Sequence, residues 1–187
     1  MACDLTAGRI ISCKDSIGGL KAVYFINDGD MDIPSDITYN ANGDGITSMS
    51  GSYHGFKYDL KGESSFTQNI VSSRTNGTTY FEQVLELSIP SLTLVDHKEL
   101  KLLSFGNPSV IVEDNNSNFF LAGLEYGMDV TGGTIVTGGA MGDLSGYTLT
   151  LTGMEKIPAN FFDSTTEAAL ATACGFVFIH GDGTFVS

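Results

Sequence analysis

Three aspartates close to the start of the chain have the alternating spacing of a calcium-binding loop: Asp28, Asp30 and Asp32. Carboxylate oxygens two residues apart can converge on one hard cation. The match fails further along, because Ile33 stands where such a loop needs glycine and Tyr39 where it needs a bidentate glutamate. We therefore predict a solvated turn here and no metal site.

The other common metal ligands are dispersed along the chain. The histidines have no partner at the spacing that a zinc site uses, and they are His54, His97 and His180. The cysteines form no C-x-x-C pair, and their odd number argues against a closed disulfide framework; they are Cys3, Cys13 and Cys174. We expect free thiols in a reducing cytosol.

No familiar catalytic motif is present. The chain has neither a G-x-S-x-G nucleophile elbow nor a Walker motif. The run Gly181-Asp182-Gly183 follows an apolar strand but precedes no helix that could present amides to a phosphate, so it indicates a turn. The acidic run Glu113-Asp114-Asn115 indicates the tip of a hairpin. The sequence predicts no catalytic residue, no cofactor and no enzyme activity.

Composition indicates one β-rich domain with an acidic surface. The chain has 187 residues with 23 glycines and 4 prolines, which suits many short strands joined by tight turns. Charged residues make up 17%, below the ~25% of ordinary soluble domains, and a surface so poor in charge favours contacts with partners. The net charge of −13 opposes binding to nucleic acid and anionic membranes. It suits a wall that DNA passes without sticking, although simple solubility is the more ordinary explanation.

Nothing in the sequence predicts a membrane partner. The opening residues lack a positively charged segment followed by an apolar run, so we expect no secretory signal. No stretch approaches the ~18 to 20 apolar residues that span a bilayer. We expect a subunit that is made and folded in the cytosol.

Alternating apolar residues predict the strands. An aperiodic N-terminal arm, residues 1–19, precedes a single β-rich domain, residues 20–187. Leu20 to Asn27 carries apolar groups on both faces and is predicted to be a central strand. The strongest hairpin prediction joins Ser65–Arg74 to Thr78–Ile89 through Asn76-Gly77. In its second strand, one face carries Phe81, Leu85 and Leu87 and the opposite face carries Tyr80, Glu82 and Glu86.

Two segments have helical character. Ser91 to Phe105 is predicted to be a helix with Asp96 and Glu99 as a capping box, and with one apolar face made of Leu92, Val95, Leu102 and Leu103. A shorter helix is predicted to be capped by Ser164 and to end at Gly175. Between them, Gly132 to Gly139 is expected to be a Gly/Thr-rich loop. The fold class is therefore mainly β, a β-sandwich or β-barrel with one flanking α-helix and extended hairpins and arms.

Two parts of the chain resemble virion structural proteins of tailed bacteriophages. They are Ala2-Cys3-Asp4-Leu5-Thr6-Ala7-Gly8-Arg9 through Gly18-Gly19-Leu20, and Gly142-Asp143-Leu144-Ser145-Gly146-Tyr147-Thr148-Leu149-Thr150-Leu151-Thr152-Gly153. Within that group the chain most resembles tail tube subunits. The resemblance implies stacked six-fold rings around an acidic channel, through which DNA passes without specific binding. It also implies a place in the virion beside other phage structural proteins.

Two groups of residues are candidates for roles in such an assembly. Apolar side chains amid glycines and threonines predict a subunit joint, or else a loop packed on its own core, at Gly132, Gly133, Ile135, Val136, Ala140 and Met141. Glu82 and Glu86, two acids on the polar face of one strand, are candidates for lining the channel. An ordinary solvated outer face is the alternative for both glutamates.

Other functions fit the same composition. A neck, connector or capsid-decorating protein would share the β content and the acidity. A carbohydrate-binding β-sandwich is a third possibility, based on Tyr53, Tyr58, Tyr80 and Tyr147, although the chain has no tryptophan, the commonest sugar-stacking residue.

Overall fold

A computed structural model describes residues 16–27, 36–41, 43 and 45–187. The calcium-like turn Asp28–Asp32 and most of the predicted N-terminal arm lie outside the described residues. The described residues form thirteen strands and two helices: β1 Leu20–Ile26, β2 Ile37–Tyr39, β3 Gly45–Met49, β4 Tyr53–Asp59, β5 Ser65–Ser73, β6 Thr78–Pro90, α1 Leu94–Leu103, β7 Ser109–Asp114, β8 Phe119–Ala122, β9 Asp129–Val136, β10 Gly146–Glu155, β11 Asn160–Phe162, α2 Glu167–Cys174, β12 Phe176–Ile179 and β13 Phe185–Val186.

The strands form two sheets. The larger sheet has nine strands in the order β13-β12-β4-β1-β7-β8-β11-β3-β2, and the smaller has four in the order β5-β6-β10-β9. The smaller sheet packs one face against the larger one, so the fold is mainly β and sandwich-like, with α1 at its flank. This confirms the predicted fold class.

Strand β1 lies in the middle of the larger sheet and is buried on both faces. On one face Tyr24 and Ile26 belong to an apolar cluster that α2 covers. On the other face Val23 and Phe25 belong to the core between the two sheets. The prediction of a central strand over Leu20 to Asn27 is confirmed.

Helix α2 packs on the outer side of the larger sheet. Its buried residues Leu170, Ala171 and Cys174 contact the same cluster as Phe176 and Phe178. Gly175 ends the helix in the left-handed conformation at φ 66°, as predicted. The predicted cap at Ser164 is wrong: Thr166 caps the helix and accepts a hydrogen bond of 3.2 Å from the Ala169 amide.

Helix α1 covers the flank of the sandwich between the sheets. Thr93 is its N-cap, and the Asp96 amide donates to the Thr93 hydroxyl at 3.0 Å, so the predicted Asp96–Glu99 capping box is wrong by one turn. The predicted apolar face is wrong for Leu92, Val95 and Leu102, whereas Leu103 does pack against the core between the sheets. Leu100 is the buried residue of the helix, whereas Val95 and Leu102 are exposed.

Strand β9 replaces the loop expected from Gly132 to Gly139. Its residues pair with β10, including Thr134 with Thr148 and Ile135 with Tyr147. At Gly133 a side chain would put its Cβ 2.5 Å from the Thr148 carbonyl oxygen. The close approach of β10 therefore requires glycine at position 133. This glycine reflects close packing between two strands and not a loop.

Candidate subunit interface and acidic sheet face

The outer face of the smaller sheet is polar and acidic. Glu82 and Glu86 lie on this face of β6, because the alternate residues Leu85 and Leu87 enter the core. The Asn69 side-chain amide donates to Glu82 and the Ser65 hydroxyl donates to Glu86, each at 3.4 Å. Alternate residues of the adjacent strand β10 complete this face: Thr148, Thr150, Thr152 and Met154.

No cation balances these glutamates within the sheet. The sequences of the four strands contain no lysine or arginine, and neither glutamate forms an ion pair with a described residue. Carboxylates on a flat surface of hydroxyl and amide groups repel a polyanion without offering it a donor cluster. This polar outer face is hereafter called the acidic face.

Both edges of the smaller sheet are open in the described part of the chain. β5 pairs only with β6, and β9 pairs only with β10. β5 is nine residues long and β9 is eight. β5 has no charged residue and no proline, and its pairing with β6 runs without a bulge. Such an edge lacks the devices that usually prevent strands from pairing between molecules.

The two open edges run in opposite directions. Each neighbouring pair in the order β5-β6-β10-β9 is antiparallel. An even number of alternating strands therefore puts β5 antiparallel to β9. A copy rotated about an axis along the strands can pair its β5 with the β9 of the next copy in an ordinary antiparallel ladder.

The six predicted interface residues lie in one region at this edge. Four of them belong to β9, where Ile135 is 60% exposed on the strand side that faces α1. Ala140 and Met141 lie in the adjoining turn, with Met141 fully exposed. Asp143 orders this turn by accepting hydrogen bonds from the Ala140 and Gly139 amides at 2.7 and 2.9 Å, which lower the pKa of its carboxyl.

The last part of the predicted arm contacts the turn between β7 and β8. The Ile17 amide donates to the Asn116 side chain at 2.9 Å, and the Asn116 amide group donates back to the Ile17 carbonyl at 2.8 Å. Asn115 donates to the Gly18 carbonyl at 2.8 Å. Ile17 and Gly18 are therefore attached to the subunit's own domain. An arm that reaches a neighbouring subunit can consist only of residues that precede Ile17.

A polar cluster at the larger sheet was not predicted from the sequence. Glu113, expected at an exposed hairpin tip, is 4% exposed and accepts hydrogen bonds from the Tyr24 hydroxyl at 3.0 Å and from Lys21. The expectation is wrong for Glu113, whereas Asp114 and Asn115 do begin the turn between β7 and β8. Burial and the nearby carboxylates of Glu113 and Glu167 raise the pKa of Tyr24. The partners are 89 positions apart, so no local pattern could have indicated the contact.

A second part of this cluster fixes the first turn of α2. Lys57 of β4 donates to Glu167 at 2.8 Å, and Nε2 of His180, just after β12, lies 2.6 Å from the other Glu167 oxygen. Burial of Glu167 opposes its ionisation, but the hydrogen bonds from Lys57 and His180 outweigh that effect and hold its pKa below the ordinary value. The arrangement joins a helix to two strands.

The tyrosines do not form a sugar-stacking surface. Tyr53 and Tyr147 are buried, and Tyr53 donates to a backbone carbonyl at 2.7 Å. Burial raises the pKa of the Tyr58 hydroxyl to about 12. Two of the four rings on which a carbohydrate-binding module was based are therefore inside the core.

The remaining candidate ligands are separate in the described structure. His54 is on β4, His97 is on α1 and His180 is bound to Glu167. Among the residues described, no group of three histidine, cysteine or acidic side chains is placed to hold a metal ion. Cys174 is buried, which raises the pKa of its thiol to about 11. No helix in the described ranges has the length and apolarity to cross a membrane.

Comparisons with protein-family models, with curated proteins and with solved structures found no match for this chain.

Proposed function

We propose that this protein is the structural subunit of a phage tail tube, which assembles into stacked rings and forms a conduit for DNA. The observation that carries the proposal is the unprotected edge strand β5, nine uncharged residues long. A monomer with such an edge is an aggregation hazard. In a ring, the same edge is a joint that the antiparallel strand β9 of a neighbour completes.

The geometry of the smaller sheet suits a closed barrel. Six copies, the number that the resemblance implies, would each contribute four strands. At ~4.8 Å between strands and a tilt of ~40°, such a barrel has a radius of about 24 Å. That radius leaves room for duplex DNA, and closure removes every free strand edge.

The acidic face supports a place on the inner wall. The opposite face of the smaller sheet is already covered by the larger sheet, so a barrel built from the smaller sheets turns the acidic face toward its axis. Glu82 and Glu86 of every copy then line the channel, where they repel DNA phosphates and let DNA slide without adhering. The protein's place is in the virion, joined to other structural proteins at the ends of the tube.

Two proline variants of β5 test the edge pairing. Backbone amides of a strand point alternately to its two sides, so one of Asn69 and Ser72 directs its amide toward β6 and the other toward the open edge. Asn69→Pro and Ser72→Pro therefore form a matched pair. We expect one variant to be destabilised, and the other to remain folded by circular dichroism and fail to polymerise in sedimentation and negative-stain images.

The wild-type protein is the reference in the same experiment, and it should form rings or tubes. If both proline variants polymerise like the wild type, pairing through β5 is wrong. Isolated rings that never stack would instead favour the neck or connector alternative, and a protein that stays monomeric would contradict both.

A further inference from the structure

A groove runs between helix α1 and the inner side of strand β9. It has a volume of about 430 Å³. On the helix it is lined by His97, Leu100, Lys101 and Ser104, and on the sheet by Val130 to Ile135 with part of β10. The groove follows the open edge of the sheet, and Ile135 at this edge is 60% exposed. The groove is partly apolar, and it is open on the side where β9 has no neighbouring strand.

The opposite edge of the same sheet carries an unburied apolar side chain. Ile70 lies on β5, where it pairs with Phe81 on the strand face that turns toward the core. It is nonetheless 70% exposed, whereas Phe66 on the same face packs against the core between the sheets. Ile70 is therefore an uncovered aliphatic side chain beside an open strand edge, on the side of the sheet that faces the core.

These two features lie at opposite edges and on the same side of the sheet. Ile70 is level with Glu155 of β10, whereas the groove is level with Tyr147 to Leu151, so the neighbouring copy has to be staggered along the strands, as strand tilt in a barrel requires. A strand added to β9 alternates its side chains between the acidic face and the α1 side. On the core-facing side of β5, Phe66 packs on its own core and Gln68 accepts a hydrogen bond from the Ala159 amide at 2.8 Å, so Ile70 is the apolar residue left to turn toward α1 in that position. The strand brings no charge into the groove, and the titratable groups among the described lining residues are His97, Lys101 and Tyr147, so no carboxylate is desolvated there.

We infer that the groove between α1 and β9 binds the β5 strand of a second copy, with Ile70 as the apolar anchor. This inference rests on the proposed function and adds the surface that fixes one subunit to the next. Backbone pairing alone allows the two edges to slip along each other. An anchor in a groove of limited length selects one register, and α1 is the element that makes the groove.

Disulfide crosslinking tests directly whether Ile70 of one copy contacts the groove of another. In a full-length background with Cys3→Ser and Cys13→Ser, one protein carries Ile70→Cys and a second carries His97→Cys, Lys101→Cys or Ser104→Cys. Since Cys174 is buried, it should not compete. We expect at least one mixture to form a crosslinked dimer on oxidation, and we expect no dimer from Ile70→Cys alone.

An assembly measurement complements it. Ile70→Ser should raise the protein concentration required for polymerisation about ten- to hundredfold, because a buried aliphatic contact is lost. The matched control is Val71→Ser, the adjacent residue on the acidic face, which should change that concentration much less. Circular dichroism of both variants checks that the monomer is folded.

The outcomes separate the inference from the proposed function. If the wild type polymerises, no mixture crosslinks and Ile70→Ser polymerises like Val71→Ser, the groove contact is overturned and the tube proposal stands. If the wild type does not polymerise under any condition, both are overturned. Crosslinking together with the selective effect of Ile70→Ser supports both.

Discussion

The larger sheet buries apolar residues on both faces of its central strand, whereas the smaller sheet buries only one face. The edge strands of the two sheets also differ in length. The larger sheet ends in β2 and β13, of three and two residues, and such short edge strands offer little to a partner. The smaller sheet ends in strands of nine and eight residues.

Their charged groups differ as well. In the larger sheet, Glu113 is held by Tyr24 and Lys21, and Glu167 by Lys57 and His180. Among the described residues, the glutamates of the acidic face accept hydrogen bonds of 3.4 Å from neutral side chains and form no ion pair. The larger sheet is thus complete within one subunit, and the smaller sheet has the properties of one that is completed by other copies.

The largest effect is expected from breaking the edge of the smaller sheet at Gly133. In Gly133→Ala the new Cβ would lie 2.5 Å from the Thr148 carbonyl oxygen, so β9 has to move away from β10. We expect a loss of about 1 to 3 kcal/mol in the free energy of unfolding, measured with urea.

Its neighbour is the matched control. A Cβ at Gly132 would be 3.9 Å from Thr150 and meets nothing closer. Gly132→Ala should therefore keep the stability of the wild type or raise it slightly. Equal losses in the two variants would show that β9 is not held against β10 as described.

The next prediction concerns the cluster that fixes α2 in the larger sheet. A glutamate with a lowered pKa stabilises the fold above its ordinary pKa, and this contribution is lost as the pH falls through the folded-state value. Glu167→Gln should therefore be less stable than the wild type at pH 7, with a difference that shrinks below about pH 4.5.

Thermal unfolding of both proteins from pH 7 to pH 3 measures this difference. The comparison isolates Glu167 because the other acids are common to both proteins. A difference that stays constant over the whole range would contradict the role of the ionised carboxylate. Assembly at pH 7 should be little affected, since the cluster is remote from the proposed joint.

The smallest effect is expected on the acidic face. Assembled copies bring their glutamates together, and salt screens their repulsion over a Debye length that falls from ~30 Å at 0.01 M to ~10 Å at 0.1 M. The double variant Glu82→Gln and Glu86→Gln should polymerise at lower salt than the wild type. Light scattering across a salt series tests this, and identical salt dependence of the two proteins would argue against a shared acidic wall.

Local patterns predicted the strands well. The alternation around Leu85 and Leu87 assigned the two faces of β6 correctly, because a strand with one buried face has a period of two residues. The Asn76-Gly77 turn and the end of α2 at Gly175 were also predicted, since both depend on backbone conformations that glycine favours.

Other features depended on distant residues. Val95 and Leu102 fitted the apolar face of a helix, yet Leu100 is the residue that meets the core, because only the position of the sheets decides which side of α1 is covered. The glycines of β9 suggested a loop, because a strand seldom contains two in succession. Which strands lie at the edges is a property of the sheet order, and alternation does not encode it.

We propose that copies join through β5 and β9 with the acidic face turned inward. A cryo-electron microscopy map of the polymerised full-length protein tests it most directly. We expect a continuous antiparallel barrel in which β5 of one copy pairs with β9 of the next and Glu82 and Glu86 line the lumen. A map that places both glutamates on the outer surface of the tube, or that leaves β5 unpaired, would contradict it.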